Sequence, residues 1–94
     1  MDNIDRVYFS EEMQKIFNTL VLNGKKPLRG KGTNPKILFY WKWRITPSVT
    51  VSLHLKSDLT LTAFYRKLLG DMKDFTSNNP AEIKQKLIEW SIIK

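Results

Sequence analysis

The stretch KILFYWKWRITPSVTVSLHLK, residues 36–56, decides how this chain folds. Read as a strand, residues 37–45 send Ile37, Phe39, Trp41, Trp43 and Ile45 to one side, because successive side chains alternate across a pleated backbone. Lys36, Leu38, Tyr40, Lys42 and Arg44 go to the other side. Residues 49–56 repeat the alternation, with Val49, Val51, Leu53 and Leu55 against Thr50, Ser52, His54 and Lys56. Thr46-Pro47-Ser48 connects the two runs as the loop of an antiparallel hairpin. Pairing Ile45 with Val49 sets Trp43 opposite Val51, Trp41 opposite Leu53 and Tyr40 opposite His54. Both apolar sets then share one face, an agreement that a slip of one residue would destroy. Trp41 and Trp43 therefore belong to the core, where each can bury a large area.

Outward from the hairpin, the N-terminal side reads as helix. Met13, Ile16, Phe17, Leu20 and Val21 recur at helical spacing, behind Ser10 as N-cap and the acids Glu11 and Glu12. Asn23-Gly24 suits a helix exit, which predicts a helix over about residues 10–22, with Val7-Tyr8-Phe9 as a short strand or lead-in. GKKPLRGKGTNPK, residues 24–36, holds five cations, three glycines, two prolines and no acid, and is expected to be a loop.

Beyond Lys56 two periods compete. Leu59, Leu61 and Ala63 alternate with Thr60 and Thr62 as a third strand would, whereas Leu61, Phe64, Tyr65, Leu68, Leu69, Met72 and Phe75 follow helical spacing. The expectation is a helix over roughly 62–75, weakened by Gly70 and preceded by a short strand. Asn79, Pro80 and Glu82 are the N-cap, N1 and N3 signals of a last helix, with Ile83, Leu87 and Trp90 as its inner stripe and Ile88 and Ile92 widening it. The expected architecture is a single α+β domain over residues 1–94. It has an N-terminal helix, an antiparallel hairpin or three-stranded sheet, and C-terminal helices packed on one face.

Composition narrows the function classes. The chain carries a net charge of +7 with 27% charged and 41% hydrophobic residues, the balance of a folded protein. Residues 1–23 contribute −2, residues 24–67 contribute +9 and residues 68–94 contribute nothing, so the excess lies in the middle. With no cysteine and a single histidine, a disulfide scaffold, a thiolate metal site and a conventional zinc site are not expected. GKKPLRGKGT fails the Walker pattern, since five residues separate Gly24 from Gly30 and Gly32 follows Lys31. His54 has no serine nucleophile and orienting acid in view, and Asp71 and Asp74 would balance Lys67 and Lys73 on a helix. No catalytic set, metal or cofactor is expected. No apolar run reaches the length of a membrane span and MDNIDR lacks the apolar segment of a signal peptide, so the expected location is intracellular and cytoplasmic.

A basic block beside an aromatic residue is the footprint of a polyanion-binding surface. The candidate nucleic-acid-binding residues are Lys25, Lys26, Arg29 and Lys31 of the loop, with Lys36, Tyr40, Lys42, Arg44, His54 and Lys56 of the hairpin's polar side. The cations would neutralise phosphates, the backbone around Gly30 and Gly32 would approach them closely, and Tyr40 would stack a base. That mixture favours RNA or single-stranded nucleic acid over sequence-read duplex. The alternative is a small protein-interaction module or inhibitor, such as a phage or plasmid accessory protein, that meets an acidic protein partner or forms a homodimer through a strand edge. Binding to an anionic membrane surface would require Trp41 and Trp43 outside the core, against the pairing register.

Overall fold

Two-residue alternation builds the sheet at the centre of this molecule. A computed structural model describes residues 3–32 and 34–92; Met1, Asp2, Thr33, Ile93 and Lys94 lie outside the described residues. The element order is α1 (Asn3–Phe17), β1 (Leu28–Lys31), β2 (Ile37–Thr46), β3 (Val49–Lys56), β4 (Leu61–Lys67), β5 (Met72–Ser77) and α2 (Pro80–Ser91). The strands form one antiparallel sheet in the order β1-β2-β3-β4-β5, each pairing with its neighbour in sequence. The α+β class holds, with five strands where a hairpin or three were expected and one C-terminal helix instead of several.

The central hairpin has the expected register from Phe39 opposite Leu55 to Arg44 opposite Thr50, including Trp43 with Val51, Trp41 with Leu53 and Tyr40 with His54. At the turn, Thr46 rather than Ile45 pairs with Val49. The Thr46 hydroxyl accepts the backbone N–H of Ser48 at 3.2 Å and of Val49 at 3.0 Å, which draws Thr46 into the turn and leaves a bulge at Ile45. Ile45 stays buried.

The region expected to be a helix over 62–75 is instead β4 and β5. Leu61 and Ala63 face the core, with the partly buried Tyr65 packed against it. Leu68 and Leu69, which completed the helical spacing, form the turn between these strands and are exposed, Leu69 completely. Gly70 lies in that turn, donating to Lys67 O at 3.0 Å. Residues 28–31 were expected to be loop but form β1, held by pairing with residues 39–42 of β2. Gly32 is required just beyond it, since a Cβ there would lie 2.2 Å from the backbone oxygen of Ile37.

α1 begins and ends earlier than its spacing predicts. Val7, Tyr8 and Phe9 are helical, and Ser10 is a buried mid-helix residue rather than a cap. The early exit has a tertiary cause. The Trp41 indole N–H donates to Asn18 Oδ1 at 2.7 Å, and the Trp43 indole N–H donates to the backbone oxygen of Leu20 at 2.8 Å. A helix continuing through residue 24 would commit the Leu20 carbonyl to its own ladder. Asn23 and Gly24, the expected exit, are instead the two central residues of a tight turn, with φ of 51° and 73° and reciprocal bonds between Leu22 and Lys25.

α2 starts as its signals predict. Asn79 Oδ1 accepts the Ala81 N–H at 3.0 Å and Pro80 takes the first helical position. Glu82 does not close the box directly: it accepts the Ser77 hydroxyl at 2.8 Å, and that hydroxyl accepts the Asn79 N–H at 3.0 Å. Ile83 and Leu87 are fully buried and Trp90 lies against Tyr65, while Ile88 and Ile92 are exposed rather than part of the inner stripe. Met13 and Phe17 of α1 and Ile83 and Leu87 of α2 join Trp41, Trp43, Leu53 and Leu55 in one core. Both helices thus pack on the same face of the sheet, and among the described residues no helix covers the other.

The Trp43 hydrogen bond makes a stability prediction. Trp43→Phe leaves the Leu20 carbonyl without its donor and opens space in a fully packed site, so stability should fall by about 1–3 kcal/mol. Chemical denaturation measures it, and an unchanged midpoint would show that the indole does not anchor the helix exit.

Candidate functional site

The open face of the sheet follows from the strand pairings. Residues opposite one another across antiparallel strands point the same way, so Leu28, Lys42, Ser52, Phe64 and Asp74 form one row. Gly30, Tyr40, His54, Thr62 and Thr76 form the next, and Arg44, Thr50, Arg66 and Met72 flank the first row on its other side. Strands lie about 4.8 Å apart, which sets Tyr40 beside His54 in one row and Phe64 diagonal to His54 in the adjacent row. The His54 and Phe64 rings are in contact, with centroids 4.9 Å apart.

Short side chains give this surface its relief. Ser52 and Thr50 form the floor of a depression of about 230 Å³ walled by Lys42, His54, Phe64 and Arg66. A second depression, of about 390 Å³, lies between Gly32, Ile37, Tyr40, Lys42, Ser52 and His54. Cations surround planar rings here, and among the described residues none of them is in an ion pair. The ion pairs among the described residues, Lys15 with Glu12 and Lys86 with Glu89, both lie on the helices. The three rows contain one carboxylate, Asp74, which lies opposite Phe64 on the edge strand β5, three strands from Lys42 and Arg44.

Burial first, and the charge of Lys56 second, hold the His54 imidazole below its ordinary value of 6.5. At neutral pH the ring is uncharged, able to stack and to exchange hydrogen bonds, and an anion placed over it would draw a proton onto it.

The structure brings together five of the ten expected residues: Tyr40, Lys42, Arg44, His54 and Lys56 lie on the open face. Arg29 and Lys31 do not join them, because they pair with Trp41 and Phe39 and so point to the helix side. Lys25 and Lys26 sit at the turn before β1, and Lys36 in the turn that enters β2. Phe64 and Arg66 belong to the face but were hidden by the helical reading of residues 62–75. The strand alternation of Thr62, Phe64 and Arg66 against Leu61, Ala63 and Tyr65 was the signal that could have found them. Asp71 and Asp74 are not helical neighbours: the first is in the β4–β5 turn and the second on β5.

Among the described residues no group of three His, Cys, Asp or Glu side chains could hold a metal ion. No described helix is long and apolar enough to cross a membrane. Trp41 and Trp43 are 1% and 0% exposed, which removes the surface tryptophans that a membrane-binding reading required. Comparison of the chain with protein-family models, with curated proteins and with solved structures gave no match.

The depressed His54 value has a defined pH consequence. Since the folded value lies below 6.5, the unfolded chain takes up the proton first as pH falls. This contribution to stability is complete above about pH 6.5 and declines as pH drops through the lower folded value. Denaturation midpoints between pH 8 and pH 5 should fall less steeply for His54→Gln than for the native chain. Parallel curves would contradict the assignment.

Proposed function

We propose that this chain is a nucleic-acid-binding module, with RNA or single-stranded nucleic acid as its ligand and the open sheet face as its platform. One observation carries the reading: a sheet face without a covering helix displays three rings, Tyr40, His54 and Phe64, among Lys42, Arg44, Lys56 and Arg66, none of them in an ion pair among the described residues. Exposed rings stack unpaired bases whatever their identity, and cations beside them neutralise the phosphates that link those bases. A duplex conceals its base faces, so the rings would go unused against it.

Binding by such a surface releases counterions. Four phosphate contacts on a single strand give a log–log salt slope of about −3, at about −0.7 per contact. Fluorescence anisotropy with a labelled single-stranded oligonucleotide should show that slope. Lys42→Glu and Arg66→Glu should each weaken binding at least about tenfold, while Lys84→Glu on α2 should not, because only the first two touch the platform. Phe64→Ala should cost about 1–3 kcal/mol of binding through lost stacking. An isotherm that does not move with salt would falsify the reading.

A second reading, an acidic protein partner, draws on the exposed Leu68, Leu69 and Met72 beside Arg66. Apolar side chains at the end of a basic face suit a protein surface better than a phosphate backbone. Purification with a stoichiometric acidic protein and without nucleic-acid absorbance would favour it.

A further inference from the structure

Arg29 and Lys31, turned to the helix side of β1, do not stand alone there. With Gln14, Asn18, Phe39 and Trp41 they line a cavity of about 190 Å³ between α1 and the sheet edge. Asn18 commits its Oδ1 to the Trp41 indole at 2.7 Å, which leaves its NH2 group as the end available to a ligand. Gln14 adds a second amide, with its nitrogen donating to Ser10 O at 3.4 Å. No carboxylate lines the cavity. Cations and an amide donor beside aromatic side chains suit a phosphate joined to a planar group.

This cavity and the open face meet at the sheet edge. Tyr40 lines both the cavity and the open-face depression beside it. Its ring lies across Gly30 of the edge strand β1, so closely that a Cβ on Gly30 would be 2.8 Å from the Tyr40 hydroxyl. Between the two faces stands only the thickness of one four-residue strand. A flexible single strand can turn round so thin a rim, whereas a duplex, with a persistence length of about 50 nm, cannot.

We propose that the ligand is single-stranded and crosses the β1 edge at Gly30, with one nucleotide seated in the cavity and its phosphate on Arg29 and Lys31. The inference rests on the nucleic-acid reading above and adds to it a path and a choice of strandedness.

The test uses the full chain, the double variant Arg29→Glu/Lys31→Glu, and single-stranded oligonucleotides of about three and about ten nucleotides, lengths that bracket the open face and the whole path. Anisotropy should show the double variant losing at least tenfold in affinity for the longer strand, with a salt slope shallower by about 1.4, two contacts at about 0.7 each. The shorter strand should bind both proteins alike, and a duplex should bind the native chain more weakly than the longer strand. In NMR spectra the Trp41 indole N–H should shift with the longer strand and not with the shorter. Native-like affinity and slope in the double variant, an unmoved Trp41 indole, or equal binding of duplex would each overturn the path. Loss of all salt-dependent binding by the native chain would instead remove the parent reading and the path with it.

Discussion

The hydrogen bonds from Trp41 and Trp43 to the segment after α1 are the constraint on which the remaining structure depends. An indole ring is large and apolar, but its N–H cannot be buried without an acceptor. Both rings enter the core from β2, and both N–H groups find oxygen in residues 18–20. That requirement ends α1 at Phe17, holds Phe17 against Trp41 with centroids 5.6 Å apart, and fixes which side of the sheet is inside. Once the tryptophans choose the inner side, the alternation of β3 and of β2 between its two bulges sends Tyr40, Lys42, Arg44, His54 and Lys56 to the outer one.

A five-stranded meander with both helices on one side leaves a broad surface uncovered. Antiparallel sheets tolerate this when the second face is polar, and most of this one is. The exceptions are informative. Tyr40 is exposed and Phe64 is half-buried against His54 on this otherwise polar face, and their rings lie among cations that form no ion pair in the described residues. Stacking surface and positive charge in one plane is the arrangement that an unpaired nucleic-acid strand can use along its length.

How much of this was legible in the sequence depends on how local each cause was. The hairpin was legible because period-two patterning on both strands admits one register, and the start of α2 because Asn79 and Pro80 act on backbone groups beside them. β1 was not, since Leu28-Arg29-Gly30-Lys31 has almost no apolar content and is a strand only through its bonds to β2. Residues 61–75 satisfied two periods together, and exposed Leu68 and Leu69 at a turn supplied false helical positions. The end of α1 was hidden because its cause, an indole N–H some 23 residues away in sequence, is tertiary. The site followed the same division: its β2–β3 half was readable, whereas Phe64 and Arg66 went unseen with β4, and Arg29 and Lys31 changed sides with β1.

The central claim is that the helix-free side of the sheet is where a single strand lies. Backbone amide shift mapping with a single-stranded oligonucleotide tests it directly. The account predicts perturbations concentrated at Tyr40, Lys42, Ser52, His54, Phe64 and Arg66, with the outward side of α2 around Lys84 and Gln85 unmoved. Perturbations centred on α2, or scattered without regard to the two faces, would contradict it.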